Sequence, residues 1–581
     1  MVKALKNLKP IKGNVAAALI LVVLSQLTSL ALPLMMSLII NNGISAGDMT
    51  YIKNVGMMMG GVAAVNVIIA VLSSYYSSKT AMGYGRILRE KIFLKVETLS
   101  QGDIDKIGTP SLITRCTNDV KVLQDFILQG LMIIISAPIM LVGGTFMAFF
   151  LNAKLALIIL VIIPAICIIA LAVVKNVMPL FKKRQKLTDE VNRFLREKLS
   201  GIRVIRAFNT TEYEDEKFSQ KNIQLSRLVL KFSRIMAILL PICMVLIVVA
   251  LDLLIFIATK NIDSMTDPVK IQNTVGDLQA FIIYIIMIIA AVTMSAAMFV
   301  IVPRANISAK RINEVIELEP AIRDIENPKS VCESLKGTVE FKNVCFSYHN
   351  AEQPILSDIS FTAESGKVTA IIGATGSGKT TLINLISRFY DVTDGEVLFD
   401  GVDVRELAQN ELHSRIGYVP QKAFLFSGTI RDNLKYGNEH ASDERLRLAL
   451  DISQSSEFVD GLENGIDSRI SQSGNNLSGG QKQRLSIARA LTRDAEVYIF
   501  DDSFSALDFR TDAKLRAAIR KNINATVIIV AQRVGTIIDA DQIIVLDEGK
   551  IVGTGTHEQL LENCDVYRDI ALSQLTKEAT A

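Results

Sequence analysis

The chain has 581 residues, half of them hydrophobic and 21% charged, with 62 Lys and Arg against 59 Asp and Glu. A mean hydropathy of +0.35 argues against a string of soluble domains of about 150 residues, which carry about 25% charge and lack long apolar runs. The near-balanced charge gives no support for nucleic acid as a partner, and six cysteines without a CxxC pair exclude a disulfide scaffold and a zinc framework.

In chain order, Met1–Gly13 carries Lys3, Lys6, Lys9 and Lys12 and reads as a short basic helix on the membrane surface. Six apolar runs follow. No charge lies between Lys12 and Asp48, Lys53 and Lys79, Asp125 and Lys154, Lys154 and Lys175, or Asp277 and Arg304, and Ile235–Thr259 is broken only by Asp252. Each is long enough for a hydrocarbon core of about 30 Å, which takes about 20 helical residues. The first is too long for a cleavable signal and has no small-residue cleavage site. Links after the second and fourth runs are long and basic, with Arg86, Arg89, Lys91 and Lys95 in one and Lys182, Lys183, Arg184 and Lys186 in the other. The positive-inside rule therefore places the N-terminus and both links in the cytoplasm. Helical spacing within Gly83–Gln101 and Lys182–Leu199 predicts that spans two to five continue as stalks about 25–30 Å beyond the membrane. The expected layout is an α-helical membrane domain of six transmembrane helices over 14–318, a polar linker over 319–336 and a soluble domain over 337–581.

From Gly337 onward, β-rich runs such as TVEFKNVCFSY, KVTAIIGA and ATVIIVAQ alternate with helical patterns, which predicts an α/β domain. Between the strand Val368–Ile372 and the helical Thr381–Phe389 stands Gly373-Ala-Thr375-Gly376-Ser377-Gly378-Lys379-Thr380, a P-loop in its required context. Its glycines turn backbone N–H groups onto phosphates, Lys379 reaches the β- and γ-phosphates, and the Thr380 hydroxyl is a Mg2+ ligand. A nucleoside triphosphate with Mg2+ is the expected ligand. Val497–Asp501 is an apolar strand ending in an acid, suited to hold Mg2+ through water. Shortly before it stands Leu477-Ser478-Gly479-Gly480-Gln481, where a serine and two glycines at a helix start offer free N–H groups and a positive dipole end to an anion.

LSGGQ followed by KQRLSIARAL, together with the P-loop and Asp501, resembles the nucleotide-binding domain of ATP-binding cassette (ABC) transporters. With six preceding spans and two long cytoplasmic links, the whole chain resembles an exporter half-transporter of that family. The resemblance implies that the nucleotide is ATP, that Tyr348 stacks on its adenine, and that Gln421 touches Mg2+. It places Thr381 with the phosphate loop and Ser505 to Asp508 in the D-loop. Ser111–Val120 and Gly201–Phe208 are implied to be the two coupling segments. It further implies a dimer in which Leu477–Gln481 of one chain closes on the nucleotide held by the other's P-loop. One P-loop and one LSGGQ make this chain half of such a machine.

Two positions depart from the family pattern around one γ-phosphate. Asp502 stands where a glutamate normally polarises the attacking water, and Gln532 stands where a histidine normally switches; none of the four histidines (His349, His413, His440, His557) fills that place. A carboxylate one methylene shorter is retracted by roughly 1.5 Å, and misplacement of about 1 Å can cost on the order of 100-fold in rate. Gln472 in ISQSG replaces a further glutamate expected to contact the coupling segments. An intact signature beside a depleted site resembles one half of a heterodimeric exporter at the plasma membrane. The partner would carry the glutamate and the histidine, and multidrug efflux of small amphiphiles would be the role. A homodimeric lipid or peptide exporter, and an ATP-binding regulatory subunit without turnover of its own, remain as alternatives. No peptidase domain precedes the first span, which disfavours a leader-cleaving peptide exporter. Asp252, the one acid inside a span, is the substrate-site candidate.

Overall fold

The computed structural model describes residues 1–263, 268–296, 298–331, 336–348 and 351–578. His349 lies outside them. The chain divides into two compact units, Met1–Thr98 with Ile107–Leu318, and Leu99–Lys106 with Glu319–Ala581.

The first unit is helical. Two short pieces, Val2–Leu5 and Lys6–Ile11, precede the helix Lys12–Leu38. They are tied down rather than loose: the buried Tyr84 hydroxyl donates to the Ala4 carbonyl (3.0 Å), and Lys91 Nζ donates to Asn7 (2.7 Å). Asp48 caps the 49-residue helix Met49–Glu97 by accepting from the amides of Thr50 and Tyr51, and Asn152 caps the 48-residue helix Ala153–Ser200 in the same way. A 53-residue helix, Thr211–Asp263, and a 29-residue helix, Pro268–Ala296, complete the long elements. At 1.5 Å per residue the three longest run roughly 70–80 Å, far more than a bilayer needs, as the predicted stalks require. Among the described residues, four helical stretches are long and apolar enough to cross a membrane: Val2–Ile44, Met49–Glu97, Thr109–Leu151 and Thr274–Ser295. The other two predicted spans fall within Ala153–Ser200 and Thr211–Asp263, where several side chains lie outside the described set.

Polar threads cross the apolar packing of this unit. Asn66 accepts from Ser25 and Thr28 and donates to Ser29 (2.8–3.3 Å), and Asp277 accepts from Ser37 (2.9 Å) and Asn41 (3.0 Å). Ser111–Val120, expected to be the first coupling segment, also belongs here. Its Asp119 is 3% exposed and accepts from Ser308 (2.7 Å), while Arg115 pairs with Glu314 (3.3 Å), both partners lying on the helix Met298–Ile316. A buried carboxylate needs donors or a counter-charge, and this one has Ser308 on Oδ1 and Arg311, 3.9 Å from the otherwise unbonded Oδ2, inside the helical unit. The segment that groups with the α/β unit is instead Leu99–Lys106. Ile202–Ala207 in the second expected coupling segment is a six-residue helix between Ala153–Ser200 and Thr211–Asp263.

The second unit is built on a six-stranded sheet in the order Lys550–Gly555, Gln542–Asp547, Val368–Gly373, Thr526–Val530, Val497–Asp501, Ile416–Val419. All neighbours are parallel except the edge pair of Lys550–Gly555 with Gln542–Asp547. VYIFD and TVIIV are buried at every residue, as strands covered on both faces must be. A second, antiparallel sheet orders Leu356–Ala363, Val339–Phe346, Asp394–Phe399 and Val402–Asp403. In the predicted linker, residues 319–331 form no helix or strand, but they are pinned to this unit. Ala321 N–H donates to Asp103 (3.0 Å), Arg388 donates to the Arg323 carbonyl (3.2 Å), and Lys329 pairs with Glu406 (2.7 Å).

Candidate nucleotide site

Parallel strands carry their functional residues at their C-terminal ends. Here the end of Val368–Gly373 runs into the P-loop, that of Val497–Asp501 into Asp502, that of Thr526–Val530 toward Gln532, and that of Ile416–Val419 toward Gln421. Residues far apart in sequence thus share one edge. Gly376 and Gly378 have φ of +90° and +98°, a conformation open to glycine alone at little cost. A Cβ on Gly378 would come within 2.7 Å of Leu356, and one on Gly373 within 2.0 Å of the Leu546 carbonyl. The loop therefore closes tightly before the helix Lys379–Ile386 begins.

Lys379 Nζ donates to the carbonyls of Gly373 (2.8 Å) and Ala374 (2.7 Å). Its burial lowers the ammonium pKa, and the nearby carboxylates of Asp502 and Asp501 oppose that shift. Thr380 Oγ1 donates to Asp501 Oδ1 at 3.2 Å, which brings together two of the three groups expected at Mg2+. Desolvation pushes Asp501 up to about 6, against the Thr380 hydrogen bond. A hydroxyl, a buried carboxylate and a lysine beside a tight glycine loop fit a magnesium–nucleotide complex.

Asp502 is the densest point of the site. It is 8% exposed with φ of +46°, a region where aspartate is tolerated far better than most residues. Its Oδ2 accepts from Gln532 Nε2 (2.8 Å) and from Gln421 Nε2 (3.3 Å). Burial raises its pKa, opposed first by the Gln421 hydrogen bond. The two departures found in the sequence are therefore direct partners, and one carboxylate oxygen is occupied by two amides. Neither amide can accept a proton.

Tyr348 is 36% exposed and its hydroxyl lies 3.1 Å from Thr381 Oγ1, so the ring stands beside the helix that follows the P-loop. It meets Phe346 and Tyr390 edge to face, with ring centroids 4.9 and 5.2 Å apart. Tyr390 escaped the sequence reading. Its hydroxyl donates to Asp105 of Gln101–Ile107 (2.8 Å), and a Cβ on Gly102 would approach its ring to 3.3 Å. The available signal was small: a glycine followed by two acids, Asp103 and Asp105, just before the Gly108–Pro110 break.

At the signature, Ser478 caps the helix Gly479–Leu491. It accepts from Gln481 N–H (3.3 Å), and the Gln481 side chain accepts from Ser478 N–H (2.9 Å). Nothing lies within 4 Å of where a Cβ on Gly479 would be, so the first turn is open to an anion. In the D-loop, Ser505 Oγ donates to the Asp502 carbonyl (2.9 Å), and Asp508 caps Phe509–Asn522 by accepting from Thr511 N–H (3.0 Å). Gln472 is exposed in a short 3-10 turn, Gln472–Gly474. Asp252, in the first unit, is exposed and makes no hydrogen bond or ion pair among the described residues.

Comparison with known proteins agrees with this geometry. Residues 15–292 match the family described as ABC transporter transmembrane region, and residues 356–505 match the family described as ABC transporter. An uncharacterized ABC transporter ATP-binding protein of Mycobacterium tuberculosis is 41% identical over 573 residues, covering 98% of this chain and 97% of that protein. The ATP-dependent lipid A-core flippase of Vibrio vulnificus is 28% identical over 566 residues, covering 96% of this chain and 95% of the flippase. Among solved structures, a bacterial Atm1-family ABC exporter with ATP bound aligns with a TM-score of 0.79 at 24% identity, over 97% of this chain and 99% of the other.

Proposed function

The chain belongs to the ABC transporter family as an exporter half-transporter that couples ATP hydrolysis to transport, and from that premise we propose that it is the weakly hydrolysing half of a heterodimer. The observation that carries the reading is the Asp502 carboxylate, whose Oδ2 is taken up by the amides of Gln532 and Gln421. Hydrogen bonds donated to a carboxylate stabilise its ionised form and make it a weaker base toward the proton of the attacking water. In this reading the chain's P-loop binds ATP and turns it over slowly. Leu477–Gln481, with its open helix start, completes the faster site on a partner that carries glutamate and histidine at the positions of Asp502 and Gln532.

Thr380, Gln421 and Asp501 would hold Mg2+, which when bound neutralises charge on the β- and γ-phosphates. Lys379 exchanges its loop carbonyls for phosphate oxygens, and Tyr348 offers its exposed ring to the adenine. The cargo in this reading is a small amphiphile expelled across the bacterial plasma membrane, with the N-terminus and the α/β unit in the cytoplasm. A homodimeric lipid exporter is the second reading, favoured by the 28% identity to a lipid A-core flippase. ATPase assays on the purified chain, alone and co-expressed with a candidate partner, separate the two. Little turnover alone and fast turnover in the pair is the expected result; rapid hydrolysis by the chain alone points to the homodimer.

A further inference from the structure

Asp400 and Gly401 form the two-residue turn between Asp394–Phe399 and Val402–Asp403, with φ of +49° and +80°. Asp-Gly is a favoured pair for such a turn, and an aspartate is rarely buried without a partner. This one is 1% exposed. Its Oδ1 accepts from the Thr338 N–H (2.7 Å), and its own N–H donates to the Thr338 carbonyl (2.9 Å). Asp400 therefore grips the chain where the polar linker runs into the α/β unit. Its Oδ2, however, is shut off from solvent and meets no donor.

The same holds for Oε2 of Glu496, the residue just before the strand Val497–Asp501. Glu496 Oε1 accepts from Arg415 (2.8 Å), whose guanidinium also reaches Glu411 (3.4 Å). On the turn that leads into Val368, Lys367 is paired with Glu364 (2.6 Å) and Thr526 Oγ1 accepts from the Gly366 N–H (3.2 Å). None of these groups supplies a donor to the two free oxygens. The Asp400 and Glu496 carboxyls themselves stand within hydrogen-bonding reach of each other. Ionised carboxylates only accept, so two of them in contact repel, whereas one proton between them gives both oxygens a partner. Burial, reinforced by the Glu496 charge, pushes the Asp400 carboxyl up to about 6, against the amides of Thr338 and Gly337.

We propose that Asp400 and Glu496 form a proton site: one proton held between them fastens the Thr338 entry and the antiparallel sheet to the start of Val497–Asp501, and its loss loosens that junction. The folded pair binds its proton more tightly than the opened chain does. The junction is therefore held below about pH 6 and yields as pH rises through that value. The nucleotide acid Asp501 stands at the other end of the same strand, five residues on, or about 17 Å away. A reading taken at Thr338 is thus local to the proposed site.

Hydrogen exchange of the full chain in nanodiscs, without nucleotide, provides that reading through the peptide that carries the Thr338 amide. After correction for the intrinsic pH dependence of exchange, opening should increase about 10-fold from pH 5 to pH 8 in the parent. Asp400→Asn and Glu496→Gln each place an amide N–H where the proton lies and keep the oxygen that faces Thr338 or Arg415. Either should hold the junction equally closed at both pH values and melt no lower than the parent at pH 8. The two variants replace the same proton from opposite sides, so one that folds is enough to decide. Opening in the parent that does not vary with pH overturns the proposal. So does a 10-fold change that persists in an amide variant, or a melting temperature at pH 8 that both variants lower.

Discussion

Two helix starts in this chain are shaped to meet phosphate, and they differ in what surrounds them. The helix Lys379–Ile386 begins after a closed glycine loop, beside Asp501, Asp502, Gln421 and Gln532, with its polar groups already bonded to one another. The helix Gly479–Leu491 begins with a reciprocal Ser478–Gln481 cap and open space beside Gly479. Both offer backbone N–H groups and a dipole end. Beside the first stand two buried carboxylates, Asp501 and Asp502, and the second of these is held by two amides. In the proposed reading binding and turnover are separable: the phosphate cradle is kept, and the departures fall on a single acid and its partner.

The largest expected effect comes from Lys379→Ala. Removing the only ammonium in the P-loop should lower affinity for a fluorescent ATP analogue by about 100-fold, since charge-assisted hydrogen bonds to phosphate are the strong ones. Retained binding would break the comparison by showing that the signature end alone holds nucleotide. Next is the pair Asp502→Glu and Gln532→His, expected to raise ATP turnover at this chain's own site by up to about 100-fold. Asp502→Glu alone should recover only part of that gain. Gln532 would still hold the longer carboxylate, and the backbone at φ +46° suits aspartate better than glutamate. Full recovery from the single change would show that side-chain length, not the amide clamp, sets the rate.

Much of this site was legible in the sequence because its parts are local. A P-loop needs its glycines in one stretch, and the left-handed φ of Gly376 and Gly378 explains why no other residue serves. Asp502 and Gln532 stood out separately, but their mutual hydrogen bond was not legible. It depends on Val497–Asp501 and Thr526–Val530 lying side by side in register, a fact of the sheet rather than of either segment. The grouping of Leu99–Lys106 with the α/β unit was hidden for a similar reason. Ser111–Val120 carries the charged, helical pattern of a contact surface, yet its buried Asp119 accepts from Ser308 in its own unit. Gln101–Ile107, short and unremarkable in sequence, carries the acid that reaches Tyr390.

A smaller effect tests the acid that completes the magnesium corner of the first site. Asp501 has its carboxyl pushed up to about 6 by burial, above its ordinary value of about 3.9. The folded state therefore binds more protons than the unfolded chain between about pH 4 and pH 6, and stability falls as pH rises through that window. Asp501→Asn should stabilise the nucleotide-free protein by on the order of 2 kcal/mol above about pH 6, with the gain fading toward pH 4. Melting temperatures at pH 5 and pH 8 would show it. In the parent protein, the Mg2+-dependent part of ATP affinity should weaken as pH drops through about 6, because the protonated acid no longer attracts the ion. A gain in stability that does not vary with pH would mean that Asp501 is ionised throughout, and that its burial is offset by partners beyond Thr380.

The smallest expected effect lies at the edge of the same site and asks whether the adenine side is as self-contained as the phosphate side. Tyr390 packs edge to face on Tyr348 and donates to Asp105, so one aromatic side chain touches both the nucleotide edge and the segment Leu99–Lys106. Tyr390→Phe keeps the ring contacts and removes only the hydroxyl. The lost bond runs to a carboxylate, but that carboxylate is exposed, so the cost should be about 1 kcal/mol rather than the larger figure of a buried charged pair. A melting shift of a few degrees with unchanged ATP affinity would confine the role of Tyr390 to holding Gln101–Ile107. Weakened ATP affinity in Tyr390→Phe would instead mean that the orientation of the Tyr348 ring depends on the hydrogen bond beyond it. The side of Tyr348 would then respond to what happens at Asp105, a residue outside the cluster of Lys379, Thr380, Asp501 and Asp502 around the P-loop.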